Sequence, residues 1–314
     1  MNGVLCIDKP AGMTSFDVVA RLRRIFHERR VGHAGTLDPM ATGVLPVFIG
    51  EATRAVSLLP DQDKRYTAGL RPGVVTDTGD VTGSVLARRE PDFTQEDLAR
   101  AAAALCGEIL QVPPMYSAVR VGGKHLYELA REGETVERAP RPVTIYGIGL
   151  LGREGEDWLL DIRCSKGTYI RVLCEDLGRA LGCGATMASL RRTRAAGFSL
   201  ADCVTLEQAE QAAAQGKAEE LLRDVETVFL SLPETAVTPR QAARLANGGA
   251  LAFARLGPHP ARGLCRVRCG ALFLGLAEAR PEREELAVKC LFRREEALRA
   301  AEPQKAEAKD PTQE

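Results

Sequence analysis

Apolar positions along this chain come in two rhythms. Short apolar runs such as GVLCID (3–8) and GVLPVFIG (43–50) predict strands, and the alternation in DWLLDIRCS (157–165) predicts a strand with one covered face. Helical spacing recurs in SFDVVARLRRIF (15–26), in TQEDLARAAAALCGEI (94–109) and in GTYIRVLCEDLGRALG (167–182). Thr14 with Asp17, and Thr94 with Asp97, fit the T-x-x-D capping pattern at the first two helix starts. EATRAVSLL (51–59) also reads as helical. KRYTAGL (64–70) reads as extended, and TDTGDVTG (76–83) as a turn between strands.

Two stretches break these rhythms. Residues 111–142, QVPPMYSAVRVGGKHLYELAREGETVERAPRP, are bracketed by prolines and lack a long apolar face, so they read as an excursion from the core. MASLRRTRAAGFSL (187–200) carries a tight basic cluster ahead of an acidic helix around TLEQAEQAAAQ. Near residue 233 the texture changes again. TPRQAARLANGG has a Thr cap and a Pro at the first helical position, and the short strands GLCRVRCG, ALFLGLAEA and ELAVKCLF follow. The domain reading is therefore 1–232, then a small, mostly β domain over 233–295, then a disordered polar tail over 296–314.

Composition narrows the function classes. The 314 residues are 45% apolar, enough for a real core, and no run of eighteen apolar residues or signal-peptide pattern appears, so a cytoplasmic location without a membrane partner is expected. Nine scattered cysteines without a C-x-x-C spacing, and four unclustered histidines, predict reduced thiols and no metal site. Net charge is zero but uneven. Residues 233–294 hold eleven Lys/Arg against five Asp/Glu, and residues 201–232 hold two against seven, so local basic surfaces and an ordinary balanced surface both remain open. No coiled-coil pattern appears, and a monomer is expected.

The segment with candidate chemistry is VGHAGTLDPMATGVLPV (31–47). Its glycines match neither a dinucleotide fingerprint nor a P-loop. Asp38 before Pro39 is either a turn aspartate or a carboxylate held on a rigid loop.

GHAGTLDPMATGVLPVFIGEATR (32–54) resembles the signature segment of the TruB-type tRNA pseudouridine synthases. DKPAGMTS (8–15), KRYTAGL with TDTGDVTG (64–83), PPMYSAVRVGGKHLYELAREG (113–133), CSKGTYIRVLCEDLG (164–178) and LRRTRAAGF (190–198) resemble further family segments in the same order. The departures are Arg120 for a lysine, Pro72 for a leucine and Ala196 for a glycine.

The resemblance implies an α+β fold: a mixed, largely antiparallel sheet flanked by helices, an RNA-clamping insertion at 111–142 and a small C-terminal PUA-like RNA-binding domain. It implies isomerisation of a uridine to pseudouridine in the T-arm loop of tRNA, at position 55 of the tRNA. The base is flipped out, the bond from ribose to N1 is broken, and the uracil is rejoined through C5. No cofactor, metal or obligate protein partner is needed. By the same resemblance Asp38 is the reacting carboxylate, and Arg171 is its cationic partner, which would lower its pKa. Tyr66 stacks on the uracil and His33 holds the flipped nucleotide. Lys9 and Pro10 form the floor, and Tyr169, Arg120 and Lys124 contact the RNA. Two rival readings stay open: the catalytic subunit of a guide-RNA complex, and a noncatalytic tRNA folding aid. Without the resemblance, Arg171 reads as a surface helix arginine and Tyr66 as an ordinary half-buried strand tyrosine.

Overall fold

The apolar runs fold as strands that share one sheet, in an order that brings distant segments together. The computed structural model describes residues 1–299, which divide into two units: residues 3–50 with 61–222, and residues 51–60 with 223 onward. Residues 300–314, most of the stretch read as a disordered tail, lie outside the described residues.

The first unit begins with β1 (Gly3–Lys9), α1 (Ser15–Ile25), β2 (Val31–His33), β3 (Thr42–Ile49), β4 (Lys64–Pro72), β5 (Val74–Thr76) and β6 (Val85–Arg88). It continues through α2 (Gln95–Ala104), β7 (Gly107–Gln111), the small hairpin β8 (Arg120–Val121) and β9 (Lys124–His125), and α3 (Leu126–Arg131). The long hairpin β10 (Arg141–Glu154) and β11 (Asp157–Cys164) follows, then α4 (Ile170–Ala180), β12 (Ala185–Ala195), β13 (Phe198–Ser199) and α5 (Leu206–Ala214). The fold is mixed α and β around one sheet.

The sheet order is β1-β3-β12-β4-β11-β10-β7, with β2 beside β3 and β13 beside β12. Its pairings are antiparallel except that of β3 with β12, which run parallel with Thr42 opposite Arg191 and Gly43 opposite Arg192. That parallel junction lies immediately after the loop that carries Asp38. Leu5, Ile7, Leu45, Val47 and Ile49 pack against Val18 and Leu22 of α1 and Leu206 of α5, while Ala68, Leu70, Leu160, Ile162 and Met187 pack against Leu98 of α2 and Leu173 and Leu177 of α4. Burying these side chains supplies about 25 cal/mol per Å² of apolar area removed from water.

Local signals in the sequence set the element ends. Thr14 and Asp17 exchange their capping bonds at 2.8 and 3.0 Å, and Thr94 and Asp97 do so at 2.8 and 3.2 Å. EATRAVSLL forms a 3₁₀ run, Gly50–Leu58, rather than an α-helix. Pro72, an anomaly for a central strand, ends β4 opposite Ala185, beyond the last β11 pair at Leu70 and Trp158. Its missing N–H therefore costs that pairing nothing.

The second unit holds β14 (Glu234–Ala236), α6 (Pro239–Ala246), β15 (Leu251–Ala252), β16 (Gly263–Cys269), β17 (Leu272–Arg280), β18 (Glu285–Leu291) and α7 (Arg294–Arg299), with strand order β14-β16-β17-β18-β15. Its basic excess is partly neutralised inside the unit. Arg266 and Arg268 reach Glu226 at 2.6 and 2.7 Å, and Arg293 pairs with Asp224, so acidic side chains from the preceding segment cover strand arginines.

Gly43 shows how tight the parallel junction is. Its φ is +99°, and a Cβ there would stand 2.2 Å from the Arg192 carbonyl oxygen. Gly216 also has a positive φ, but a Cβ there would meet nothing within 4 Å. Gly216→Ala is expected to cost about 1 kcal/mol for its backbone alone, and Gly43→Ala clearly more, roughly 2 kcal/mol or above. Urea denaturation of both variants checks this, and equal costs would refute the close approach.

Candidate active site

The loop between β2 and β3 is poor in charge, so other segments must fix its shape. Lys9, wholly buried at the end of β1, donates from Nζ to the carbonyls of Pro10 (2.8 Å), Met13 (2.6 Å) and Pro39 (3.2 Å). All three ammonium protons thus have acceptors. Gly12 N–H donates to the same Pro39 carbonyl at 2.8 Å. Ser15, buried in the first turn of α1, accepts from Leu37 N–H at 2.9 Å and donates to the Leu37 carbonyl at 3.3 Å. The residues on either side of Asp38 are therefore tied down, and the Ala41 N–H closes a turn onto the Asp38 carbonyl at 3.0 Å.

Arg171 meets that aspartate from the first turn of α4. Nε lies 3.0 Å from Asp38 Oδ2, and Nη2 donates to Oδ1 at 3.3 Å, a side-on bidentate pair. Two main-chain carbonyls take further donors of the same group. Nη1 donates to the Thr78 carbonyl at 3.1 Å, Nη2 to the Tyr116 carbonyl at 2.7 Å, and Nε stands 3.9 Å from Asp80 Oδ2. The Arg171 side chain is 6% exposed and that of Asp38 34%, so the cation is fixed inside while the aspartate side chain stays partly open.

Two further residues secure this arrangement. Gln111, at the end of β7, accepts from Tyr169 N–H at 2.9 Å and donates to the Tyr169 carbonyl at 3.4 Å, which fixes the start of α4 two residues before Arg171. Asp80 is buried and accepts at Oδ1 from Thr78 Oγ1 (3.0 Å), Thr82 N–H (3.0 Å) and Thr82 Oγ1 (2.5 Å). Gly79, with φ +74°, lets this turn lie against α4, since a Cβ there would meet Glu175 Oε1 at 2.4 Å and Arg171 Cβ at 3.4 Å.

The electrostatics differ from the sequence expectation in one respect. Arg171 does favour the charged carboxylate, yet crowding of Asp38 by protein outweighs it, Asp80 adds repulsion, and the Asp38 pKa is raised rather than lowered. Burial pulls Lys9 down to about 8, with Asp38 opposing the shift. Burial, reinforced by the Arg192 charge, lowers the His33 pKa and so favours the neutral imidazole. The Nδ1 atom of that ring is buried without a hydrogen-bond partner among the described residues. Burial raises the Tyr66 hydroxyl, which keeps it protonated.

The nine residues singled out in the sequence fall into three sets. Asp38, Arg171, Lys9, Pro10 and Tyr169 are joined by the contacts above. His33 ends β2, and Tyr66 lies in β4 opposite Arg192 of β12. Arg120 and Lys124 stand on the exposed β8–β9 hairpin, where Arg120 faces His125 at 3.2 Å and Lys124 pairs with Glu132 at 2.9 Å, so they do not join the Asp38 group. Ser15, Asp80, Gln111 and the Tyr116 carbonyl belong to the site but were not singled out. For Asp80 the only signal was its place in TDTGDVTG, where an aspartate equally suits a turn. Among the described residues no group of three or more His, Cys, Asp or Glu side chains is placed to hold a metal.

Residues 23–170 match the model for the TruB family pseudouridylate synthase N-terminal domain, and residues 171–229 match that for the tRNA pseudouridylate synthase B C-terminal domain. A tRNA pseudouridine synthase B of Aromatoleum aromaticum is 46% identical over 88% of this chain and 89% of its own length. One of Dehalococcoides mccartyi is 47% identical over 79% of this chain and 83% of its own. Among solved structures, a Cbf5-Nop10-Gar1 complex includes a chain that aligns with a TM-score of 0.73 and 28% identity over 94% of this chain and 86% of that one. The chain belongs to the TruB family of pseudouridine synthases.

Proposed function

We propose that this chain isomerises uridine to pseudouridine in the T-arm loop of tRNA, at position 55 of the tRNA, as a stand-alone enzyme. The observation that carries the reading is the side-on Asp38–Arg171 pair, in which the cation is buried and the aspartate side chain stays partly open. Breaking the bond from ribose to uracil N1 develops positive charge on the sugar, and a fixed carboxylate stabilises or captures that centre. Uracil leaves as a delocalised anion, turns, and rejoins through C5, which then gives up its proton while N1 gains one. The reaction is redox-neutral and transfers nothing to or from the RNA, so it calls for no cofactor.

The other residues take supporting roles. Tyr66 packs on the uracil, and neutral His33 holds the flipped nucleotide, whose extrusion costs a few kcal/mol. Lys9 and Pro10 form the floor beneath the Asp38 loop. Tyr169, Arg120 and Lys124 meet the RNA, the last two through phosphates on the 111–142 excursion. The second unit serves as a PUA-like RNA-binding module. Identity of 41–47% with proteins named tRNA pseudouridine synthase B, against 28% with the Cbf5 complex chain, supports the stand-alone form over a guide-RNA subunit. Among the described residues no helix is long and apolar enough to cross a membrane.

The direct test uses the purified chain with an unmodified tRNA transcript and with an isolated T-arm stem-loop, and maps pseudouridine by chemical labelling and primer extension. Conversion of one T-loop uridine in both RNAs is expected, with Asp38→Asn losing at least about 10³-fold in rate while still binding RNA. Tight binding without conversion by the parent chain would favour the folding-aid reading.

The raised Asp38 pKa makes two further predictions. The reaction uses the carboxylate, so single-turnover rates should fall on acidification through a midpoint above the ordinary aspartate value of 3.8. A raised pKa also means that the folded state holds this charge at a cost above the unfolded pKa, and that cost vanishes in acid. Asp38→Asn should therefore unfold in urea at neutral pH no more easily than the parent. A clear loss of stability would show that the ion pair serves the fold more than the reaction.

A further inference from the structure

The family reading leaves one buried cation without a task. Arg192, from β12, is fully buried and lies under the loop that carries Asp38. Nε donates to the Val44 carbonyl at 2.7 Å, Nη2 to that of Gly35 at 2.9 Å, and Nη1 to that of Thr36 at 3.4 Å. Gly35 and Thr36 precede Asp38, and Val44 follows it. One rigid planar group thus spans both ends of the loop, while Lys9 and Ser15 hold only its middle, at Pro39 and Leu37. The Arg192 main chain adds to this, since its carbonyl is the atom that a Cβ on Gly43 would strike.

The choice of side chain matters physically. Burying a guanidinium is costly, and an apolar residue in this sheet interior would avoid that cost. What an apolar residue cannot do is bond three diverging carbonyls. A lysine offers three protons from a single nitrogen and cannot span the same acceptors, whereas the guanidinium presents its donors in a fixed fork. Chain separation between β3 and β12 is already set by their parallel pairing, so the fork acts on the loop above it.

We propose that Arg192 is a positioning residue for the isomerisation, fixing loop 34–41 at Gly35 and Thr36 and, just beyond its other end, at Val44 of β3, so that the Asp38 carboxylate stands where Arg171 and the ribose can both meet it. The proposal rests on the reading of Asp38 as the reacting group. It assigns Arg192 an effect on turnover far more than on RNA affinity, because the side chain is fully buried and meets the substrate side of the site only through its hydrogen bond with Tyr66.

The test is steady-state kinetics on the T-arm stem-loop for the parent, Arg192→Lys and Arg192→Met, each corrected to the folded fraction from its melting curve. Loss of about 100-fold in kcat is expected for Arg192→Met, the scale of misplacing a reacting group by about 1 Å, with a smaller loss for Arg192→Lys and KM unchanged within about threefold in both. A role in the fold alone would lower the melting temperature and leave kcat per folded molecule intact. Turnover within threefold of the parent in either folded variant, or a loss confined to KM, overturns the proposal. Failure of both variants to fold overturns it as well, since the arginine would then be a requirement of the fold. A parent chain that makes no pseudouridine sinks the functional reading, and this proposal with it.

Discussion

The bidentate contact between Arg171 and Asp38 depends on segments that are far apart in sequence. A carboxylate on a sparsely charged loop has no local reason to stay in one place, and its counter-ion comes from a helix more than 130 positions later. The guanidinium is held in turn by the Thr78 and Tyr116 carbonyls, and Asp80 stands near its Nε. A lysine in its place would be a point charge with no plane to align, free to sit anywhere around the oxygens. The fork makes the direction of the carboxylate, as well as its charge, a property of the fold.

Around this pair, cations are compensated by main-chain carbonyls. Lys9 satisfies its ammonium on three of them, and Arg192 does the same with its fork. Had the compensation come from extra carboxylates, each would have pushed the Asp38 pKa further up, as Asp80 already does. Carbonyl dipoles satisfy the donors without adding a full negative charge. The loop is thereby held by cations while Asp38 remains its single acid.

Sequence legibility followed the range of the interaction. Thr14 with Asp17 and Thr94 with Asp97 are three residues apart, and their caps could be read because both partners sit in one window. The strands β1 and β3 were legible from unbroken apolar runs. Arg171 read as a surface helix arginine on propensity, because nothing within its own helix shows that Asp38, Thr78 and Tyr116 surround it; only the family resemblance pointed to a partner. Asp80 and Arg192 were missed for the same reason, since their roles arise from the pairing of the 79–81 turn and of β3 with β12. Gly43 is required by the close approach of the protein's own β12 main chain, a contact that its position in the loop does not announce.

The excursion at 111–142 takes on a second meaning from this geometry. Read from sequence, it was a clamp for RNA, separate from the chemistry, and its Arg120 and Lys124 do stand apart from Asp38. Yet its Tyr116 carbonyl accepts the shortest of the Arg171 bonds, at 2.7 Å, and Gln111 at its root grips the start of α4. Any force on the excursion therefore reaches the cation through one main-chain oxygen, and reaches the carboxylate through the fork. A segment with few apolar anchors is poorly suited to holding a catalytic pair by itself, because its local opening free energy is low. The segment read as an RNA clamp and the Asp38–Arg171 pair are thus joined through a main-chain acceptor instead of lying apart.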